Sequence, residues 1–128
     1  MVVLASVLLV VQLLLAASAR SLAFGLPWAA GARDTMPGTV PLWGARLDRA
    51  FHNMLETFPI FAVLAIAAVV AGVNDTTTAT GALVYLFARI AYVPAYLQPI
   101  SYVRSIVWLA AMVGIAMVGW PILLVGLS

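Results

Sequence analysis

The sequence has no cysteine and no lysine, a single histidine and only four acidic residues among 128. Without cysteine there is no disulfide, no thiolate metal site and no thiol nucleophile of the chain's own. Any thiol chemistry must come from a bound ligand. One histidine cannot complete a metal site with these neighbours, so no metal is expected. No Asp lies at the depth of His52, which removes Ser-His-Asp chemistry. Glycine-rich phosphate loops are absent. The six basic residues are all Arg, at positions 20, 33, 46, 49, 89 and 104. No basic patch with interleaved aromatics points to nucleic acid. Charged residues make up 8% of the chain, against about a quarter in soluble domains. That excludes a soluble globular protein. The pI of 9.5 carries little information, because it rests on a surplus of two charges.

Hydrocarbon is what the chain does have. Hydrophobic residues reach 66%, and the mean hydropathy is +1.16. Four apolar runs approach the ~20 residues that cross a bilayer. They cover about 2–19, 49–72, 78–97 and 102–127 of one membrane domain, 1–128. The expected fold is therefore an all-α integral membrane protein, a bundle of four transmembrane helices. The first connection, 20–48, is long and holds Pro27, Pro37 and Pro41. Loops of this length without regular structure are usually functional or mobile. The other two connections are short, which makes the last three spans antiparallel neighbours. Ala17-Ser18-Ala19 resembles a signal-peptide cleavage site. The basic leader is missing and the apolar run is long for a signal peptide, so a retained helix is expected.

Arginine placement predicts orientation. Arg20, Arg33, Arg46, Arg49 and Arg104 fall on or beside the first and third loops, and the opposite side carries only Asp75. Loops 1 and 3 should be cytoplasmic and both termini periplasmic, in a bacterial inner membrane. Asn74-Asp75-Thr76 matches a glycosylation triplet but reads more simply as a turn. Pro59, Pro94 and Pro121 interrupt three spans and tend to kink them. Small residues at four-residue spacing (Ala67/Ala71, Ala68/Gly72, Ala91/Ala95, Ala110/Gly114) allow close helix approach, although lipid-facing Ala explains them equally well.

Against this background one stretch stands out, RAFHNMLETFP at 49–59. Arg49, His52, Asn53 and Glu56 recur at i, i+3, i+4 and i+7, so they share one helix face. A charged group at a membrane-helix centre costs about 2.5–3.5 kcal/mol on insertion scales, less near the interface. Glu56 would lie about 10 Å deeper than Arg49 at ~1.5 Å per residue. A second polar face holds Arg89, Tyr92 and Tyr96, and Arg104 with Ser105 opens the fourth span. All three groups fall at similar depth near the cytoplasmic side. The plainer alternative for Arg89 and Glu56 is a buried ion pair that fixes packing. For the two tyrosines it is interfacial anchoring. Trp108 reads as core or lipid-facing, Trp28 and Trp43 as interfacial, and His52 as a surface or packing residue. A cationic pocket with one carboxylate, one amide and two phenols suits a small zwitterionic or polyanionic ligand.

These residues resemble those of the MAPEG superfamily, the membrane-associated proteins of eicosanoid and glutathione metabolism, in a bacterial-type member. The pattern R-A-x-x-N-x-x-E-x-x-P stands at Arg49 to Pro59. A-R-x-x-[HY]-x-x-x-Y stands at Ala88 to Tyr96, and an R-S/A-aliphatic opening stands at Arg104 to Ile106. The resemblance covers about 45–125, while 20–46 gives no residue-by-residue match. It implies a homotrimer with glutathione bound between subunits as co-substrate, near the cytoplasmic face. Arg49, Asn53 and Glu56 would hold the tripeptide, with Arg89, Tyr92 and Tyr96 from a neighbouring subunit. Arg104, with Ser105, would face the thiol as the catalytic pair. The implied activity is that of a glutathione transferase or peroxidase acting on hydrophobic electrophiles or lipid hydroperoxides that arrive from the membrane lipids. Two alternatives stand beside it. One is a non-catalytic MAPEG-like lipid-binding or scaffold protein. The other is a small proton-coupled transporter using Glu56.

Overall fold

The computed structural model describes residues 1–73 and 75–126, and among these it contains helices and no strand. Helix α1 spans Val2–Phe24, the one-turn α2 spans Leu26–Ala30, α3 spans Leu42–Val70, α4 spans Thr76–Leu97 and α5 spans Ser101–Gly126. All but α2 are long and apolar enough to cross a membrane. The four long helices run alternately up and down, as short connections require.

The first connection is shorter than the sequence suggested. α1 continues past Arg20 and α3 begins before Arg46, because Arg20 finds a partner across the α1–α3 contact and Arg46 finds one at the end of α4. Arg20 Nη2 donates to Asp48 Oδ1 in an ion pair that joins the two helices. What remains of the loop is tied down. Trp28 Nε1 donates to the Thr35 carbonyl at 2.6 Å, and Phe24 meets the Trp28 ring edge-on at 4.6 Å. The loop is thus locally structured rather than a 29-residue coil. Trp28 is engaged inside it, while Trp43 is exposed as an interfacial residue would be.

The turn between α3 and α4 shows why it can be so short. Gly72, at φ 69, occupies the left-handed region that favours glycine. The Gly72 N–H returns to the Val69 carbonyl and the Val73 N–H to the Ala68 carbonyl. This is the paired closure of a Schellman end. Asp75 then caps α4 by accepting from the Thr78 N–H at 2.7 Å, and that bond holds its carboxyl below the usual carboxylate range. Asn74, of the glycosylation triplet, lies outside the described residues.

The closest packing joins α4 to α5. A Cβ built on Gly114 would come within 2.6 Å of the Tyr85 backbone nitrogen, and one on Gly81 within 2.8 Å of the Gly114 carbonyl oxygen. Only glycine permits this approach. Gly114 belonged to a small-residue pair in the sequence, but its partner across the interface is Gly81. Phe61 of α3 stacks on Tyr85 at 4.1 Å, filling the space beside the crossing. α1 packs mainly on α3, where buried Gln12 donates from Nε2 to Met54 Sδ at 3.2 Å. Pro59, Pro94 and Pro121 lie inside helices that continue through them.

Candidate functional site

The arginine end of the bundle gathers the C-termini of α1 and α4 and the N-termini of α3 and α5. Arg46 Nη1 donates to the Leu97 carbonyl at 2.6 Å, so the start of α3 is pinned to the end of α4. This contact brings the α3 stripe beside the tyrosines of α4.

Tyr96 lies at the centre of the site. The Arg49 guanidinium carbon is 5.7 Å from its ring centroid and that of Arg104 is 5.1 Å away. Cation–π contacts at this range contribute about 0.5–1 kcal/mol where exposed and more when desolvated. One phenol ring thus collects a cation from α3 and another from α5. Tyr92 stands next to it, ring edge to face at 5.5 Å.

Two clefts flank this tyrosine wall. The first, about 440 Å³, is lined by Asp48, Arg49, His52, Asn53, Glu56 and the two tyrosines. The second, about 610 Å³, is lined by Asn53, Tyr92, Tyr96, Arg104, Ser105, Trp108 and Leu109. Asn53, Tyr92 and Tyr96 belong to both. Volumes of this order accommodate small-molecule ligands. Trp108 and Leu109 were not singled out as site residues. They follow Arg104 and Ser105 at i+4, and that spacing would have placed them on the same face.

Arg89 lies deeper than the other arginines of the site. It is 0% exposed and lines neither cleft. Its Nη1 donates to Asn53 Oδ1 at 2.7 Å, and its guanidinium carbon sits 5.4 Å from the ring centroids of both Tyr85 and Tyr92. Nε and Nη2 have no hydrogen-bond partner and are left to these π faces. The buried Arg89–Glu56 ion pair does not form. Glu56 is exposed at the cleft edge, while Arg89 turns inward to the amide. Arginine carries only donors. It therefore claims the amide oxygen of Asn53 and leaves the NH₂ group as what Asn53 can offer a ligand.

Arg89, Tyr92 and Tyr96 stand beside Asn53 of their own chain, because α4 packs directly on α3. Arg104 and Ser105 line the cleft across the tyrosine wall from Glu56, while Arg104 and Arg49 meet at the Tyr96 ring. His52 is exposed, with Nδ1 2.8 Å from the Asp48 carbonyl oxygen one turn back, in keeping with a surface role. Among the described residues no group of His, Asp and Glu could hold a metal ion.

The MAPEG family profile matches residues 1–124. The chain belongs to the MAPEG family. It is an integral, multi-pass membrane protein of the family's four-helix-bundle type, related to glutathione and eicosanoid metabolism. No curated protein and no solved structure gave a match.

Proposed function

We propose that this MAPEG protein binds glutathione and presents it as a thiolate to hydrophobic electrophiles or lipid hydroperoxides. The observation that carries the reading is the Tyr96 ring held between Arg49 and Arg104, with Asn53 shared by the clefts on either side. Arg49 and the Asn53 NH₂ group supply donors for carboxylate and peptide oxygens, and Glu56 accepts from an ammonium group. The tyrosines wall the ligand. Arg104 faces the sulfur, assisted by Ser105. Trp108 and Leu109 offer an apolar approach from the bilayer for the second substrate. A homotrimer would complete these open clefts with a neighbour's surface. In this reading loops 1 and 3 are cytoplasmic and the termini periplasmic, which presents the site to the thiol of the cytosol.

The electrostatics are sufficient. A free thiol titrates near ~8.5, so only a few per cent is thiolate at neutral pH. A guanidinium at ~4 Å, with an effective dielectric near ~20, stabilises the anion by about 4 kcal/mol. Each pKa unit requires about 1.4 kcal/mol. One positioned Arg can make the thiolate dominant even after a desolvation cost. The thiol proton leaves to water, and the sulfur lone pair forms the bond to an electrophilic carbon as its leaving group departs. With a hydroperoxide the sulfur bonds the terminal oxygen as the O–O bond breaks and the alkoxide takes a proton. A second glutathione thiol then displaces water from the sulfenic acid to give the disulfide.

Calorimetric titration of the detergent-solubilised protein with glutathione tests this. Saturable binding accompanied by thiolate absorbance is the expected result. Absence of binding would overturn the reading. Binding with no turnover across a panel of electrophiles would leave a non-catalytic lipid-binding or scaffold role.

A further inference from the structure

We propose that a third, smaller cleft, between the start of α3 and the α4–α5 turn, is a subsite for a compact oxyanion. Its defining residue is Arg46. The cleft holds about 180 Å³ and is bordered by Tyr96, Pro99 and Ile100. At ~30 Å³ per water this is room for about six waters. That suits one phosphate or carboxylate group and is tight for a whole tripeptide.

Three guanidiniums line this space, those of Arg46, Arg49 and Arg104, and no carboxylate does. None of the chain's four acids, Asp34, Asp48, Glu56 and Asp75, lines it. Asp48 is paired with Arg20, Glu56 lines the polar cleft, and Asp75 caps α4 at the opposite end of the bundle. Arg46 commits Nη1 to the Leu97 carbonyl, which uses one of its five donors. This bond anchors the guanidinium at the C-terminal end of α4, where a cation is favoured by the helix dipole. Arg49 and Arg104 are both held against Tyr96. The cleft further abuts the first turn of the 26-residue α5, whose dipole adds positive potential. Three like charges around so small a space repel one another, and an oxyanion converts that repulsion into attraction.

Two sources share this chemistry. One is the phosphate of an anionic membrane lipid, with its chains along exposed Leu42 and Ile100. The other is a terminal carboxylate of the thiol ligand reaching round Tyr96, and only this source rests on the proposed glutathione site.

The test uses the full chain in lipid nanodiscs, comparing wild type, Arg46→Gln and Arg46→Lys. Arg46→Gln keeps a donor for the Leu97 carbonyl but removes the charge, and Arg46→Lys keeps the charge. Arg33→Gln removes an equal charge elsewhere and is the control. In one arm the nanodiscs contain phosphatidylcholine doped with phosphatidylglycerol, and retained phosphatidylglycerol is measured by native mass spectrometry. In the other they contain phosphatidylcholine alone, and glutathione and its glycyl monoethyl ester are titrated. Arg46→Gln should lower one of these affinities about tenfold, with Arg46→Lys and Arg33→Gln near wild type. Loss of phosphatidylglycerol retention identifies the lipid source, and stands even if glutathione does not bind at all. Loss of glutathione affinity with little change for the ester identifies the carboxylate source. If folded Arg46→Gln, checked by its melting temperature, binds both as wild type does, the subsite is refuted. The same holds if Arg33→Gln lowers binding as much as Arg46→Gln.

Discussion

The two clefts that flank Tyr92 and Tyr96 share that wall and Asn53 and differ in the rest of their lining. The α3 side carries Asp48, Arg49, His52 and Glu56, with charges of both signs on one helix face. The α5 side carries one charge, Arg104, and surrounds it with Ser105, Trp108 and Leu109. A mixed-charge surface suits a zwitterion, and a lone cation among apolar groups suits an anion that must meet a hydrophobic partner. The Arg104 guanidinium has no carboxylate in its cleft, whereas Arg49 shares its own with Asp48 and Glu56. In the proposed reading, the difference matches the separate tasks of Arg49 and Arg104.

The largest expected effect tests that assignment. Arg104→Ala should lower the thiolate fraction of bound glutathione about 10–100-fold, read from ultraviolet thiolate absorbance across a pH series. Affinity for the tripeptide, held on the α3 side, should change far less. Unchanged absorbance would remove Arg104 from the chemistry and erase the distinction between the clefts.

A second perturbation separates the clefts mechanically. Gly114→Ala places a methyl group against the Tyr85 backbone nitrogen at the α4–α5 crossing. Neither backbone can give way cheaply, so a loss of about 1–3 kcal/mol is expected, measured by thermal denaturation in detergent. The α5-side cleft depends on this contact and the α3-side cleft does not. Thiolate formation should therefore suffer before glutathione affinity does.

The smallest effect concerns the shared wall. Asn53→Asp gives buried Arg89 a carboxylate partner in place of an amide oxygen, so melting should occur at the same temperature or higher. The same change replaces the NH₂ donor offered to the ligand by an acceptor, and glutathione affinity should fall about tenfold. A parallel loss of stability and affinity would reduce Asn53 to a packing residue.

Much of the fold was legible because a bilayer leaves few options. Backbone groups in hydrocarbon must be satisfied within a helix, so four apolar runs at 2–19, 49–72, 78–97 and 102–127 already imply four helices. The ends were less legible, since Arg20 and Arg46 look like loop residues until Asp48 and the Leu97 carbonyl are seen to receive them. Spacing alone put Arg49, Asn53 and Glu56 on one face. It could not separate buried Arg89 from accessible Arg49, because both are arginines at helical register and their difference lies in what packs against them.

The sequence by itself determined the membrane, the four spanning helices and the polar stripe, which follow from composition and local periodicity, and pointed to the family through the motifs at 49–59 and 88–96. Only the tertiary structure decided that Arg89 faces Asn53 and not Glu56, that Tyr96 lies between two guanidiniums, and that the site is two clefts sharing one wall. These depend on how α4 packs on α3 and, through Gly81 and Gly114, on α5. Such packing is a property of two surfaces in contact, and no single helix encodes it.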